Sequence, residues 1–191
     1  MFDEDIVKIR ERIIELAPAG ILAGNLGILN MDLSLPIILD YNSNCFNDLQ
    51  LAYYQSLGTR PILSAELSLP EIENFKNKDF ILFVHGKIRL MTLAHELAEN
   101  RIKDYRGFYF EIKKIPNGVE IFNEKQLGLF NKIRLLGKQG INQIYIDSES
   151  TKDQSLDKIL AIYRDILEGK SPDVSSIQKD YVLGWSKQGV L

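Results

Sequence analysis

Apolar residues along this chain alternate between two rhythms, one fitting helices and one fitting short buried strands. Ile6, Ile9, Ile13 and Leu16 stand three and four residues apart among charges, which predicts an amphipathic helix over residues 5–17, ended by Pro18. Residues 20–29 are mostly apolar and hold Gly24 and Gly27, the pattern of a buried strand followed by a tight turn. Residues 36–39 form a second strand that runs into the polar cluster Asp40-Tyr41-Asn42-Ser43-Asn44. Asn47 or Asp48 caps a helix reaching Leu57, and Gly58 stops it. Residues 60–64 read as a strand, and Ser68-Leu69-Pro70-Glu71 opens a helix with a capping serine, an early proline and a nearby glutamate. A strand over 80–85 precedes Gly86, and residues 108–114 and 118–122 flank Ile115-Pro116-Asn117 as a β-hairpin. A helix over 125–138, a strand over 141–147 and a helix over 155–168 follow, with Gly140 and Gly169 at the helix ends.

Strands separated by single amphipathic helices favour parallel pairing, so the predicted class is α/β. The expected architecture is a partial (β/α) barrel-like domain of about five core strands plus a β-hairpin over residues 1–169. Residues 170–191 form a turn-rich C-terminal tail packed on that domain and contain Trp185. A complete eightfold barrel needs about 250 residues, and this chain has 191.

Composition narrows the partners. A net charge of −3 and a pI near 5.5 argue against a surface given over to nucleic acid, while leaving room for a local basic patch. The longest apolar runs are strand-sized, so no membrane partner is expected. The acidic start Met1-Phe2-Asp3-Glu4-Asp5 lacks the basic opening of a secretion signal, and the expected location is cytoplasmic. One cysteine, Cys45, leaves no disulfide framework and no cysteine-only metal site, and neither a metal nor a cofactor is expected.

Polar groups just after strand ends are the first candidates for chemistry in β/α folds, because those loops gather on one face. Here they are Asn25, Asp40, Asn42, Asn44, Ser64, Glu66, His85, Arg89 and Asp147. Asparagine and aspartate also end strands simply because they form turns. His95-Glu96-Leu97-Ala98-Glu99 resembles the zinc-protease helix, but Glu99 stands where the second histidine would be. Ser64, His85 and an aspartate could make a nucleophilic triad, although no nucleophile elbow is present. Cys45 beside Phe46 reads as a small half-buried residue more readily than as a nucleophile paired with His85. Gly24-Asn25-Leu26-Gly27 has the wrong spacing for a phosphate loop. Arg101, Lys103, Arg106, Lys113 and Lys114 surround Tyr105, Phe108, Tyr109 and Phe110, a pattern that suits RNA phosphates and bases or, equally, a hairpin with one packed face.

Several segments carry a family resemblance. They are Ala23-Gly24-Asn25-Leu26-Gly27, Asp40-Tyr41-Asn42-Ser43-Asn44-Cys45-Phe46-Asn47, Leu63-Ser64-Ala65-Glu66-Leu67, Phe83-Val84-His85-Gly86 through Leu90-Met91, and Lys103-Asp104-Tyr105-Arg106-Gly107-Phe108. Residues 140–147, Tyr163-Arg164 and the closing Leu183-Gly184-Trp185 to Gly189-Val190 fit in the same order. With these, the chain resembles the C-terminal half of the collagenase-like peptidases (peptidase family U, number thirty-two), whose catalytic domain is β/α-barrel-like. Two departures stand out. The barrel half with which that family begins has no counterpart beyond the echo Leu16-Ala17-Pro18-Ala19-Gly20. Members linked to RNA or quinone hydroxylation carry cluster-binding cysteines after the Phe-x-His-Gly turn, where this chain has Arg89 and no cysteine through Leu97.

The resemblance implies a half-length, diverged or split peptidase-like subunit without an iron–sulfur cluster. Its partner would be a second copy, as a homodimer, or a chain supplying the missing barrel half; its substrate would be a peptide or an RNA. Glu66 and His85 are the implied general acid/base pair, with Asn25, Asn42, Asn44, Arg89 and Asp104 positioning the substrate. The alternatives are a non-enzymatic assembly subunit, or a binding module associated with RNA modification.

Overall fold

The computed structural model describes residues 3–149 and 153–184. The chain divides into two compact units. Of the described residues, the first holds 3–83 and 139–145, and the second holds 84–138, 146–149 and 153–184.

The first unit is built on parallel strands laid down in chain order. Helix α1 (Asp3–Leu16) leads to β1 (Ile21–Ala23), and β2 (Ile37–Leu39) follows a 3-10 turn over Leu26–Asn30. Helix α2 (Asp48–Ser56) crosses to β3 (Thr59–Pro61). Strands β1, β2 and β3 pair parallel in register, Ile21 with Ile37 and Ile37 with Thr59. The pairing continues as parallel bridges from Cys45 to Leu63 and from Ile62 to Ile81. Short strands suffice because Leu39, Ile62 and Leu63 are fully buried, and continuous apolar runs are what a two-sided parallel sheet requires. Asn47 caps α2 by accepting the Gln50 N–H, and Leu51 and Tyr54 turn inward.

Helix α3 (Leu69–Asn74) starts where the sequence predicts, with a complete capping box. The Glu71 carboxylate accepts the Ser68 N–H at 2.7 Å while Ser68 Oγ accepts the Glu71 N–H. Ser68→Ala removes the cap and exposes an unmet donor at a buried helix start, so thermal or urea unfolding should report a loss of about 1 kcal/mol.

Strand β4 (Leu82–Gly86) gives its first two residues to the first unit and the rest to the second. Strand β10 (Ile144–Ile146) runs alongside it: the Leu82 N–H donates to the Gln143 carbonyl, and the Asp147 N–H to the His85 carbonyl. The fold is thus mixed α/β. Three sheets form, and among the described residues none closes into a barrel.

The second unit contains a four-stranded antiparallel sheet in the order β5-β8-β7-β6. Its strands are β5 (Arg89–Leu93), β6 (Arg101–Lys103), β7 (Tyr109–Ile115) and β8 (Gly118–Asn123). The predicted hairpin is its centre, turning through Pro116 and a left-handed Asn117 (φ 68°), the residue types a type II turn favours. Ile112, Val119 and Ile121 make a small core with Leu93, Leu97, Ile102 and Phe110 around it.

One expectation is corrected by this architecture. The helix expected over 125–138 is short, α4 (Ile133–Lys138), because residues 127–128 form β9 (Leu127–Gly128) against β4, pairing His85 with Gly128 and Gly86 with Leu127. The segment 94–100, compared with the zinc-protease helix, carries no helix at all, so His95 and Glu99 have no shared helical face on which to chelate. Helix α5 (Asp153–Leu167) and the one-turn helix α6 (Ser175–Gln178) complete the described elements. The closing motif from Trp185 onward lies outside the described residues.

Candidate functional site

The residues singled out in the sequence fall into both units: Asn25, Asn42, Asn44 and Glu66 in the first, His85, Arg89 and Asp104 in the second. All but Glu66 and His85 have a local structural task. Asn25 Oδ1 accepts the Gly27 N–H at 2.7 Å and starts the 3-10 turn after β1. After β2, Asp40 accepts the Tyr41 N–H with one carboxylate oxygen and the Asn42 amide with the other, at 2.7 and 2.9 Å. Asn44 closes that turn in the left-handed region, φ 56°. Arg89 pairs with Glu120 across β5 and β8 at 2.6 Å, both side chains largely covered. Asp104 Oδ1 accepts the N–H groups of Arg106 and Phe108, at 2.9 and 2.8 Å, and so shapes the β6–β7 connection. Asn25, Asp40 and Asp104 thus satisfy backbone N–H groups that strand ends would leave bare.

Glu66 is exposed in the loop after β3, and its N–H lies 3.3 Å from the buried Ser64 hydroxyl. In the same unit Tyr41 stacks on Phe83 with ring centroids 4.9 Å apart. Cys45 is buried, and burial pushes its thiol up to about 12, so it is protonated at neutral pH and not poised as a nucleophile.

His85 sits at the C-terminal end of β4 with no exposed surface. Its ring is boxed by Phe130, Tyr163 and Tyr181 at centroid distances of 5.5, 5.8 and 5.0 Å. Neither ring nitrogen meets a hydrogen-bond partner among the described residues. Burial lowers its pKa from 6.5 to about 4, so the imidazole is neutral at pH 7. The sequence places His85 at a strand end but does not show this enclosure, because the box comes from residues 45 to 96 positions further along. Gly86 is glycine for a structural reason: its φ is +133°, and a β-carbon there would meet the Asp147 Cβ at 2.5 Å.

The β6–β7 connection carries an exposed cluster of aromatic and cationic groups. Tyr105 is 89% exposed and Phe108 63%. The Arg106 guanidinium lies against the Tyr105 ring and donates to its hydroxyl at 2.8 Å, while that of Arg101 lies 3.7 Å above Tyr109. Lys103 and Arg106 form no ion pair among the described residues, whereas Lys87, Arg101 and Lys113 are paired with Glu111, Glu124 and Glu149. Phe110, one residue along from Tyr109, packs into the small core instead. Side chains along β7 therefore alternate between a packed face and an outward face.

In the first unit a groove of about 560 Å³ is lined by Pro36, Ile38, Gly58, Thr59, Arg60 and Asp79. Its one guanidinium is engaged by Asp79 and Gln143. Among the described residues no three His, Cys, Asp or Glu side chains are placed to hold a metal ion. A thiolate-held cluster does not fit this chain: its one cysteine is buried in the first unit, and no second thiol exists to share an iron. No described helix is long and apolar enough to cross a membrane.

Comparison with curated proteins finds similarity to tRNA hydroxylation protein P of Escherichia coli (strain K12), 32% identical over 85 residues. The match covers 40% of this chain and 19% of that protein, so it takes in less than a fifth of the relative's length. No protein-family model and no solved structure matches the chain.

Proposed function

We propose that this chain is an RNA-contacting module associated with tRNA modification, and that it acts beside another protein that carries the chemistry. The observation that carries this reading is the exposed turn between β6 and β7, where two outward aromatics stand beside two cations that have no carboxylate partner among the described residues. The name of the similar protein supplies the class of RNA. Exposed rings stack on unpaired bases while the cations meet phosphates, and both contributions tolerate any sequence. The proposed partner, a second copy or a chain with further β/α repeats, draws support from α1: none of its described side chains is buried, and Val7, Ile14 and Leu16 are more than half exposed.

Removing both rings in Tyr105→Ala/Phe108→Ala should weaken retention of a tRNA transcript at least tenfold, since each stacked base contributes about 1–3 kcal/mol. The charge variant Lys103→Glu/Arg106→Glu should also flatten the salt dependence of binding, by about 0.7 in log–log slope for each phosphate that is no longer neutralised. Filter binding across a salt series reads both. Unchanged affinity and slope in the two variants would end this reading.

The second reading is hydrolytic, with Glu66 and His85 as acid/base groups, and rests on the position of both at the C-terminal ends of parallel strands. Peptide-cleaving activity that survives Glu66→Ala/His85→Ala would remove it.

A further inference from the structure

His85 is a buried ionisable side chain that the RNA-contacting reading leaves unused. A fully buried imidazole with neither nitrogen partnered among the described residues is unusual, because each has given up water without a described hydrogen bond in exchange. What covers it is a short strap. From Ser175 to Gly184 the chain runs as one turn of helix and a single parallel bridge from Val182 to Leu127. Three hydrogen bonds tie it to β9 and its approach: Gly128 N–H to the Val182 carbonyl, Val182 N–H to the Gln126 carbonyl, and Gln178 Nε2 to the Gly128 carbonyl, at 2.9–3.0 Å. None of the strap's described side chains is buried; Val174, just before it, is the last that is. Segments held by so few buried neighbours open well below the free energy of global unfolding.

Tyr181 is the strap's contribution to the box. Its ring lies 5.0 Å from His85 and edge-on to Phe130 at 5.2 Å. Gly128 makes room for it, since a β-carbon there would approach Tyr181 to 2.8 Å. Tyr181 thus supplies a flat ring but no hydrogen bond to either imidazole nitrogen.

We propose that the strap is a removable cover, and that Tyr181 holds the place of a planar, uncharged heteroaromatic ring of the nucleobase type. Such a ring would pack against Phe130 as Tyr181 does and would also give one His85 nitrogen a hydrogen-bond partner. A neutral imidazole carries its donor and its acceptor on divergent nitrogens, and a nucleobase edge holds a partner for whichever of the two it reaches, whereas the Tyr181 hydroxyl reaches neither. The base can arrive free, as a nucleoside, or carried by an RNA. Only in the second case does the inference rest on the RNA-contacting reading.

The chain has two histidines, so His95→Gln leaves His85 as the only imidazole for diethyl pyrocarbonate to acylate. In that background, Cys45→Ser with Leu127→Cys and Val182→Cys places a reversible lock across the strap's bridge. With the lock reduced, His85 should acylate at a rate that barely changes in low urea, and oxidation should slow it at least tenfold. Adenosine at millimolar concentration, or a tRNA transcript, should slow the reduced chain. Protection by adenosine identifies a free ligand, and protection by tRNA alone identifies an RNA-borne base. Three results would overturn the proposal: acylation that rises with urea in step with global unfolding, acylation indifferent to the lock, or no protection by either probe. If tRNA is retained through Tyr105 and Phe108 while His85 acylation is unmoved, this inference fails and the RNA-contacting reading stands.

Discussion

Gly118→Ala is expected to cost about 3 kcal/mol or more and to loosen the antiparallel sheet of the second unit. The reason is space rather than backbone torsion. A β-carbon at Gly118 would lie 2.0 Å from the Leu93 carbonyl oxygen and 3.1 Å from its carbon, both fixed backbone atoms of β5. No side chain can swing aside to accept it, so β5 must move away from β8. That movement breaks the register that pairs Leu93 with Val119 and uncovers Ile112, Val119 and Ile121. Urea unfolding followed by circular dichroism measures the loss. A change below about 0.5 kcal/mol, the ordinary range for a harmless surface substitution, would show that β5 does not lie against this turn.

Acid should destabilise the second unit through His85, by about 2–3 kcal/mol between pH 6.5 and pH 4. The folded imidazole titrates near 4 and the unfolded one near 6.5, because burial disfavours the charged form. Between those values the unfolded chain binds a proton that the folded chain does not, so stability rises with pH. The contribution is complete above about 6.5, is lost as pH falls, and levels off once the folded state protonates near 4. At about 1.4 kcal/mol per pH unit, discounted for relaxation around the ring, the stated loss follows. Carboxylates titrate in the same range, so the comparison is between the parent and His85→Leu. The variant should lack this part of the slope, while His95→Gln should keep it. Superimposed pH–stability curves for parent and His85→Leu would refute the assignment.

What the sequence displays well is what local chemistry decides. The capping box at Ser68 and Glu71, the Asn47 cap and the strands expected over 36–39 and 80–85, which form at 37–39 and 82–86, all depend on neighbours a few residues away. The antiparallel sheet is different. Arg89 pairs with Phe122 and Arg101 with Glu111, partners that no local pattern names, and β5 is too exposed to show an alternation of its own. Leu127, Leu129, Phe130 and Ile133 fit a helical spacing, yet the first of them joins β9 because β4 offers an edge to pair with. The candidate site divides in the same way. Asn25, Asp40 and Asp104 are the same residue types whether they cap turns or bind a substrate, and only the three-dimensional fold shows the caps. His85 is visible at a strand end, but its enclosure by Phe130, Tyr163 and Tyr181 is a tertiary fact. The basic and aromatic residues from 101 to 114 are visible as a set, while the outward turn of Tyr105 and Phe108 and the inward turn of Phe110 are not.

The two units are interleaved along the chain, with the path leaving the first after Phe83, re-entering it at Gln139 and leaving again after Tyr145. No single cut in the gene separates them. A deletion series from either end would remove parts of both and would map loss of folding rather than loss of function. Expressing either unit alone calls for rejoining distant segments with designed linkers. Point substitutions, and breaks introduced in exposed turns of an intact chain, are therefore the workable way to assign roles to its parts.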